Sequence, residues 1–206
     1  LKKKASICIL EKNYSKKNSR KIFVKDTLKT FSNLSCVIRK SLGTPIVAIT
    51  GSAGKTSLKE LIGQSLNILT PTLYSKKSFN NQYGVPLSLF NLDKKHKIGV
   101  FEIGMDKKGE IHKLSNLIQP DIGVITNISY AHIKNFKSLK GIAEAKAEII
   151  KNITIGGKII LNADDAFYSF FRERALKRGL KIMSFSIKNR SDSVSYTHLR
   201  AHETPL

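Results

Sequence analysis

Long apolar runs are missing from this 206-residue chain. None approaches the ~18 residues a membrane-spanning helix needs, which excludes a helical span. The opening LKKKASICIL carries a charged front, but its apolar stretch before Glu11 and Lys12 is too short for a signal peptide. Cysteine is scarce as well. Cys8 and Cys36 sit in apolar sequence with no His or Cys at metal-binding spacing, so they read as reduced core thiols of a cytosolic protein. Acidic residues are few, 15 against 36 basic, for a net charge of +21. The basic residues lack the aromatic interleaving of a single-strand nucleic-acid binder, and 29 of the 36 are Lys. Lys, Ile and Asn share A/T-rich codons, so base composition accounts for the charge at least as well as a nucleic-acid partner. The charge is read as a background that favours anionic substrates. There is no internal repeat. With 41% hydrophobic and 25% charged residues, the chain is ordinary globular material, long enough for one domain or one domain plus part of another.

The most informative stretch is IVAITGSAGKTS, Ile46 to Ser57. Four apolar residues run into a glycine-bearing turn, and an amphipathic segment with Leu58, Leu61, Ile62, Leu66 and Leu69 follows at once. This is strand, loop and helix. Such a loop turns backbone N–H groups towards one point and adds the positive end of a helix, which suits a polyphosphate. Lys55 is placed to reach the outer phosphates and the Thr56 hydroxyl a bound Mg²⁺. The common pattern has a glycine five positions before Gly54, where this chain has Ile49, so the loop is a shortened variant.

Residues 1–43 predict two short strands (6–10 and 21–24) and a helix over 27–40, with Asp26 or Thr27 as cap and Leu28, Phe31, Leu34, Val37 and Ile38 as its apolar face. From Pro45 onward strands and helices alternate, with strands predicted over 46–49, 72–75, 98–103, 122–127, 158–161 and 181–185. Helices are predicted over 56–69, 85–92, 109–117, 139–152 and 165–177. Nearly all-apolar strands such as 122–125 and 159–161 indicate a sheet covered on both faces. The fold class is α/β, a doubly wound and mostly parallel sheet with a P-loop, whose ligands lie beyond the carboxyl ends of the strands. Glu102, ending an apolar strand, is where a carboxylate would hold Mg²⁺ opposite the phosphate loop.

The loop Ser78–Leu87 (SFNNQYGVPL) and the stretch Thr126–His132 (TNISYAH) complete a set with TGSAGKTS, FEIGM, GEI (109–111), PDIGVITNI (120–128), GIAEAKAEII (141–150) and LNADD (161–165). In order and spacing, over about residues 20–190, this set closely resembles the Mur ligases, in the form of their D-alanyl-D-alanine-adding branch. The resemblance implies an ATP-dependent peptide-type ligase of peptidoglycan precursor synthesis, cytoplasmic and monomeric, with no nucleic-acid partner. ATP would phosphorylate the carboxylate of UDP-N-acetylmuramoyl-tripeptide, and the amine of D-Ala-D-Ala would attack the acyl phosphate. It implies Lys55, Glu102, His132 and Lys146 as catalytic residues. It gives Gly51, Ser52, Ala53, Gly54, Lys55, Thr56 and Ser57 as the phosphate grip, Thr56 and Glu102 as holders of one Mg²⁺, and His132 as neighbour of a second. Lys146 matches a position carbamylated by CO₂ in this family; without the resemblance it reads as one more solvated lysine beside Glu144 and Glu148. Asn80 and Asn81 look placed for phosphate or substrate, and on spacing alone fit an Asn-rich turn equally well. Asn162, Asp164 and Asp165 resemble the nucleoside-side segment, although Asp164 also suits a cap for the next helix. Arg172, Arg174 and Arg178 read as a solvated helix face.

By the same resemblance, residues 1–43 correspond to the last part of a UDP-sugar-binding domain and 44–193 to a truncated central ATP-binding domain, with the carboxyl-terminal domain absent. Residues 194–204, VSYTHLRAHET, match one reading frame of a transposase sequencing adaptor. The biological sequence is therefore expected to stop near Asp192 or Ser193, leaving 194–206 without function. These 206 residues alone are expected to bind ATP weakly at most and to complete no turnover. Two other readings stand beside this one: another Mur-type or folylpolyglutamate-type ligase, and a basic P-loop module acting on nucleic acid.

Overall fold

The computed structural model describes residues 7–11, 20–130, 135–136 and 138–188. His132 and the 194–206 tail lie outside these. Short strands β1 (Cys8–Glu11) and β2 (Lys21–Val24) pair in parallel, and helix α1 (Thr27–Leu42) follows. Asp26 caps α1 by accepting from the Lys29 amide. Among the described residues, six further strands form one parallel sheet: β3 (Ile46–Thr50), β4 (Thr72–Tyr74), β5 (Ile98–Glu102), β6 (Ile122–Ile125), β7 (Lys158–Asn162) and β8 (Lys181–Phe185). Their spatial order is β4-β5-β3-β6-β7-β8. The chain leaves β3 towards one edge and later crosses to the other, which creates a switch point beside the carboxyl end of β3.

The connecting helices are α2 (Lys55–Leu69), α3 (Gly84–Leu89), α4 (Glu110–Ile118), α5 (Leu139–Lys146) and α6 (Tyr168–Lys177). Alternation along β3 divides the core. Ile46 and Ala48 join the large cluster packed by α3 to α6, whereas Ile49 meets Val100 and Val124 beneath Leu58, Ile62 and Leu66 of α2. Leu61 and Leu69, expected on the apolar face of α2, are exposed; the buried flank carries Lys59 and Gly63 instead, with Gly63 against the Tyr74 ring.

Three other expectations change. The helix predicted over 139–152 ends as α-helix at Lys146 and tightens into a 3₁₀ turn, Ala147–Asn152, where Glu148 and Asn152 reach across to α4. In α1, Leu34 and Val37 are exposed, and the face turned to α3 and α4 is Phe31, Ser35 and Arg39. Phe31 stacks on Phe90, and Arg39 donates to the Ile118 and Gln119 carbonyls and to Asp121. Finally, Cys8 and Cys36 are free but only half-buried, so neither is a core thiol. Among the described residues no helix is long and apolar enough to cross a membrane.

Candidate functional site: a glycine turn clasped from two sides

Register delivers the site. Ile49 of β3 pairs with Glu102 of β5, and Thr50 pairs with Ile125 of β6. The loop leaving β3 therefore emerges between a buried carboxylate and the loop that follows β6. At Gly51 (φ 149) a Cβ would run into the Thr126 side chain, so the turn can pass Thr126 only as glycine. Gly54, at φ 78, is the left-handed entry to α2.

One clasp comes from β6. Ser52 donates its amide to the Asn127 carbonyl at 2.9 Å, and the Ala53 amide donates to Asn127 Oδ1 at 3.0 Å. The Ala53 carbonyl accepts from the Thr126 hydroxyl at 2.7 Å and from Asn127 Nδ2, and the Ser52 hydroxyl accepts from the Ser129 amide. The amides of Ser52 and Ala53, expected in the phosphate grip, are thus engaged by Asn127. The first intrahelical bond is Leu58 N–H to the Gly54 carbonyl. Gly54, Lys55, Thr56 and Ser57 then supply the helix-start amides that an anion meets. The Ser57 side chain is exposed.

The other clasp comes from β4 and β5. Glu102, 1% exposed, accepts from the Thr56 hydroxyl at 2.8 Å through Oε2 and from Asn80 Nδ2 at 2.7 Å through Oε1. A hydroxyl and a carboxylate at this spacing are hard oxygen donors of the kind Mg²⁺ takes. Two protein ligands leave the remaining positions to water and phosphate oxygens, so these residues fit that ion. Asn81 behaves differently from Asn80: its Oδ1 accepts from the Tyr83 and Gly84 amides and caps the start of α3, the turn role that spacing alone allowed.

Two ammonium groups meet at one carbonyl. Lys55 Nζ donates to Gly51 O at 2.8 Å and to Ser52 O at 3.3 Å, and Lys146 Nζ donates to the same Gly51 O at 2.8 Å. Lys146 is 2% exposed, far from the solvated residue its sequence setting suggests. Desolvation, reinforced by the Lys55 charge, pushes its pKa down to about 7. Burial also lowers Lys55, partly offset by Glu102. Both lysines line a cavity of about 530 Å³ with Asn80, Lys107, Glu110 and Lys113. The far wall is held by Glu148, whose carboxylate accepts from the Gly109 and His112 amides and caps α4 from outside.

The β7 residues sit one strand further on. Asn162 donates to the Thr126 carbonyl, and Asp165 accepts from the Ile128 amide at 2.7 Å, so both brace the β6 loop. Asp164 does not cap α6; it accepts from the Ser186 hydroxyl and the Ile187 amide, which hold its carboxyl below the usual range. Sequence reasoning missed Asn127 as a clasp and Lys59 altogether. The signal for Lys59 was its place between Leu58 and Ile62 on the inward flank of α2.

Residues 49–205 match the family profile described as the Mur ligase middle domain. The UDP-N-acetylmuramoyl-tripeptide--D-alanyl-D-alanine ligase of Buchnera aphidicola subsp. Acyrthosiphon pisum (strain APS) is 38% identical over 193 residues, 94% of this chain and 42% of that protein. Crystal structure II of MurF from Acinetobacter baumannii superposes with a TM-score of 0.81 at 34% identity, covering 89% of this chain and 40% of that one. MurF ligase from Thermotoga maritima, solved in complex with ADP, gives a TM-score of 0.79 at 26% identity over 90% of this chain and 42% of that one. The chain spans about two fifths of the length of the relatives it matches. With a parallel sheet, a clasped glycine turn and a buried glutamate ending the adjacent strand, the chain belongs to the Mur ligase family.

Proposed function

We propose that this chain is the nucleotide-handling part of a cytoplasmic, monomeric ATP-dependent ligase that joins D-Ala-D-Ala to UDP-N-acetylmuramoyl-tripeptide. The observation that carries the reading is the convergence of Lys55, Thr56, Glu102 and Lys146 on one glycine turn beside a cavity lined by lysines. In the first step a carboxylate oxygen of the tripeptide attacks the γ-phosphorus of ATP, the bond to ADP breaks, and an acyl phosphate forms. In the second the free amine of the dipeptide adds to the acyl carbon, phosphate leaves with the C–O electron pair, and the amine loses its proton. Crowded negative charge is the obstacle in step one. The helix-start amides and Lys55 counter it, and the fixed turn keeps donors in place without reorganisation.

Thr56 and Glu102 would hold one Mg²⁺ and His132 would neighbour a second, supplying neutralisation of the phosphate oxygens. Lys146 fits carbamylation, because an amine with a pKa near 7 has a large neutral fraction to attack CO₂, releasing a proton as the N–C bond forms. A carbon-13 resonance from labelled bicarbonate, absent in Lys146→Met, checks this. Residues 1–43 are read as the end of a sugar-binding domain, 44–193 as the truncated central domain and 194–206 as an adaptor-derived tail.

The test is phosphate release by the full-length protein with ATP, UDP-muramoyl-tripeptide and D-Ala-D-Ala. Release should require both substrates and fall by about 10²–10³-fold in Lys55→Ala and Glu102→Ala. Release driven by a different amino acid would reassign the enzyme within its family. DNA affinity that drops steeply with salt and survives Lys55→Ala would favour the nucleic-acid reading.

A further inference from the structure

Lys59 follows Thr56 by three residues on α2 and is fully buried, at 0% exposure. Its ammonium donates to Ser75 O at 2.6 Å, Lys77 O at 2.7 Å and Glu60 Oε1 at 2.6 Å. An ammonium has three N–H donors, so each is matched by an oxygen. Such a set is far more than closing the core requires, since Leu58, Ile62 and Leu66 already do that on the same helix. Its function must therefore be sought in what the two carbonyls belong to.

Both lie in the segment between β4 and α3. Lys77 adopts φ 50, a left-handed conformation that a non-glycine residue holds only where its surroundings impose it. Immediately beyond, Ser78 Oγ stands 3.4 Å from Thr56 Oγ1, and Asn80 Nδ2 donates to Glu102. At the other end of the segment, Ser75 Oγ accepts from the Glu102 amide at 3.4 Å. Asn80, which bonds the Glu102 carboxylate, Ser78, which meets Thr56, and Ser75, which bonds the Glu102 amide, thus stand on the segment whose carbonyls Lys59 holds.

We propose that Lys59 is a positioning residue of the nucleotide site: it fastens residues 75–80 so that Ser78 and Asn80 meet Thr56 and Glu102. The inference rests on the ligase reading in taking Mg²⁺·ATP as the ligand. It is tested in the full-length protein by a double-mutant cycle of Lys59→Met and Asn80→Ala. Binding of a fluorescent ATP analogue is titrated with Mg²⁺, and amide hydrogen exchange is followed over residues 75–81. Each single variant should raise the Mg²⁺ concentration for half-maximal binding about tenfold, equivalent to about 1.4 kcal/mol. The double variant should be no worse than the weaker single, because both act through one segment. Lys59→Met alone should also speed exchange in residues 75–81. Additive effects, or unchanged Mg²⁺ dependence in a folded Lys59→Met, overturn the inference. Should Lys59→Met not fold, Lys59→Arg, which keeps the charge but misplaces the donors, takes its place in the cycle under the same criteria. Wild-type protein that binds no Mg²⁺·ATP overturns the ligase reading and this inference with it. Wild-type binding that the Lys59 variant leaves intact overturns this inference alone.

Discussion

Lys59 and Lys146 are the same residue type, equally hidden from water, at the start of one helix and the end of another. Their surroundings differ in acceptors. Lys59 has two carbonyls and a carboxylate, whereas Lys146 has one carbonyl that it shares with Lys55. With its acceptors complete, a buried ammonium becomes a fastener. At Lys146, burial and the adjacent Lys55 charge push the pKa down to about 7, which suits chemistry rather than construction. Burial alone assigns neither role.

The largest expected effect that would break this contrast is on stability. Lys59→Met strands the buried Ser75 carbonyl and frees the part-buried Lys77 carbonyl, and should destabilise the fold by about 2–4 kcal/mol, read from denaturant midpoints. Lys146→Met removes a poorly matched charge, and the same measurement should show no loss, or a gain of about 1 kcal/mol. Equal losses in the two variants would erase the distinction. A second measurement sharpens it through pH. The Lys146 pKa is about 7 when folded against the ordinary lysine value of 10.5, so across that window the unfolded chain holds a proton that the folded one lacks. Stability should therefore rise with pH from about 7 towards 10.5, by at most about 1.4 kcal/mol per unit, and this contribution should vanish in Lys146→Met. The smallest effect concerns a clasp with no charge. Asn127→Ala removes the side-chain bonds to Ala53 while keeping the backbone bond from Ser52, and should cost about 1 kcal/mol of stability. Nucleotide affinity should fall several-fold, checked by analogue titration.

What was legible in the sequence was local. Apolar runs ending in glycine or a lone carboxylate placed β3, β5 and the turn at 51–54, and the strand over 181–185 falls where its pattern predicts. Glu102 could be chosen because a charge closing an apolar strand is unusual. The remainder depended on partners distant in sequence. Arg39, Asn127 and Glu148 resemble ordinary surface residues until Asp121, Ala53 and Gly109 arrive beside them. Asn80 and Asn81 are adjacent and identical, and only the position of Glu102 separates a site contact from a helix cap. Among 29 lysines, nothing local marks 146 as buried, and 59 is marked only by its flank of α2.

The Arg39 anchor also makes α1 a strut. Its 16 residues span about 24 Å. The amino-terminal end is pinned by Glu11 of β1, which accepts from the Thr27 amide and hydroxyl, and the carboxyl-terminal end is bolted to the last turn of α4. The opposite end of α4 begins at Glu110, on the wall of the lysine-lined cavity. The two-strand ribbon is thereby tied, through one side-chain joint at each end of α1, to the helix that walls the chamber.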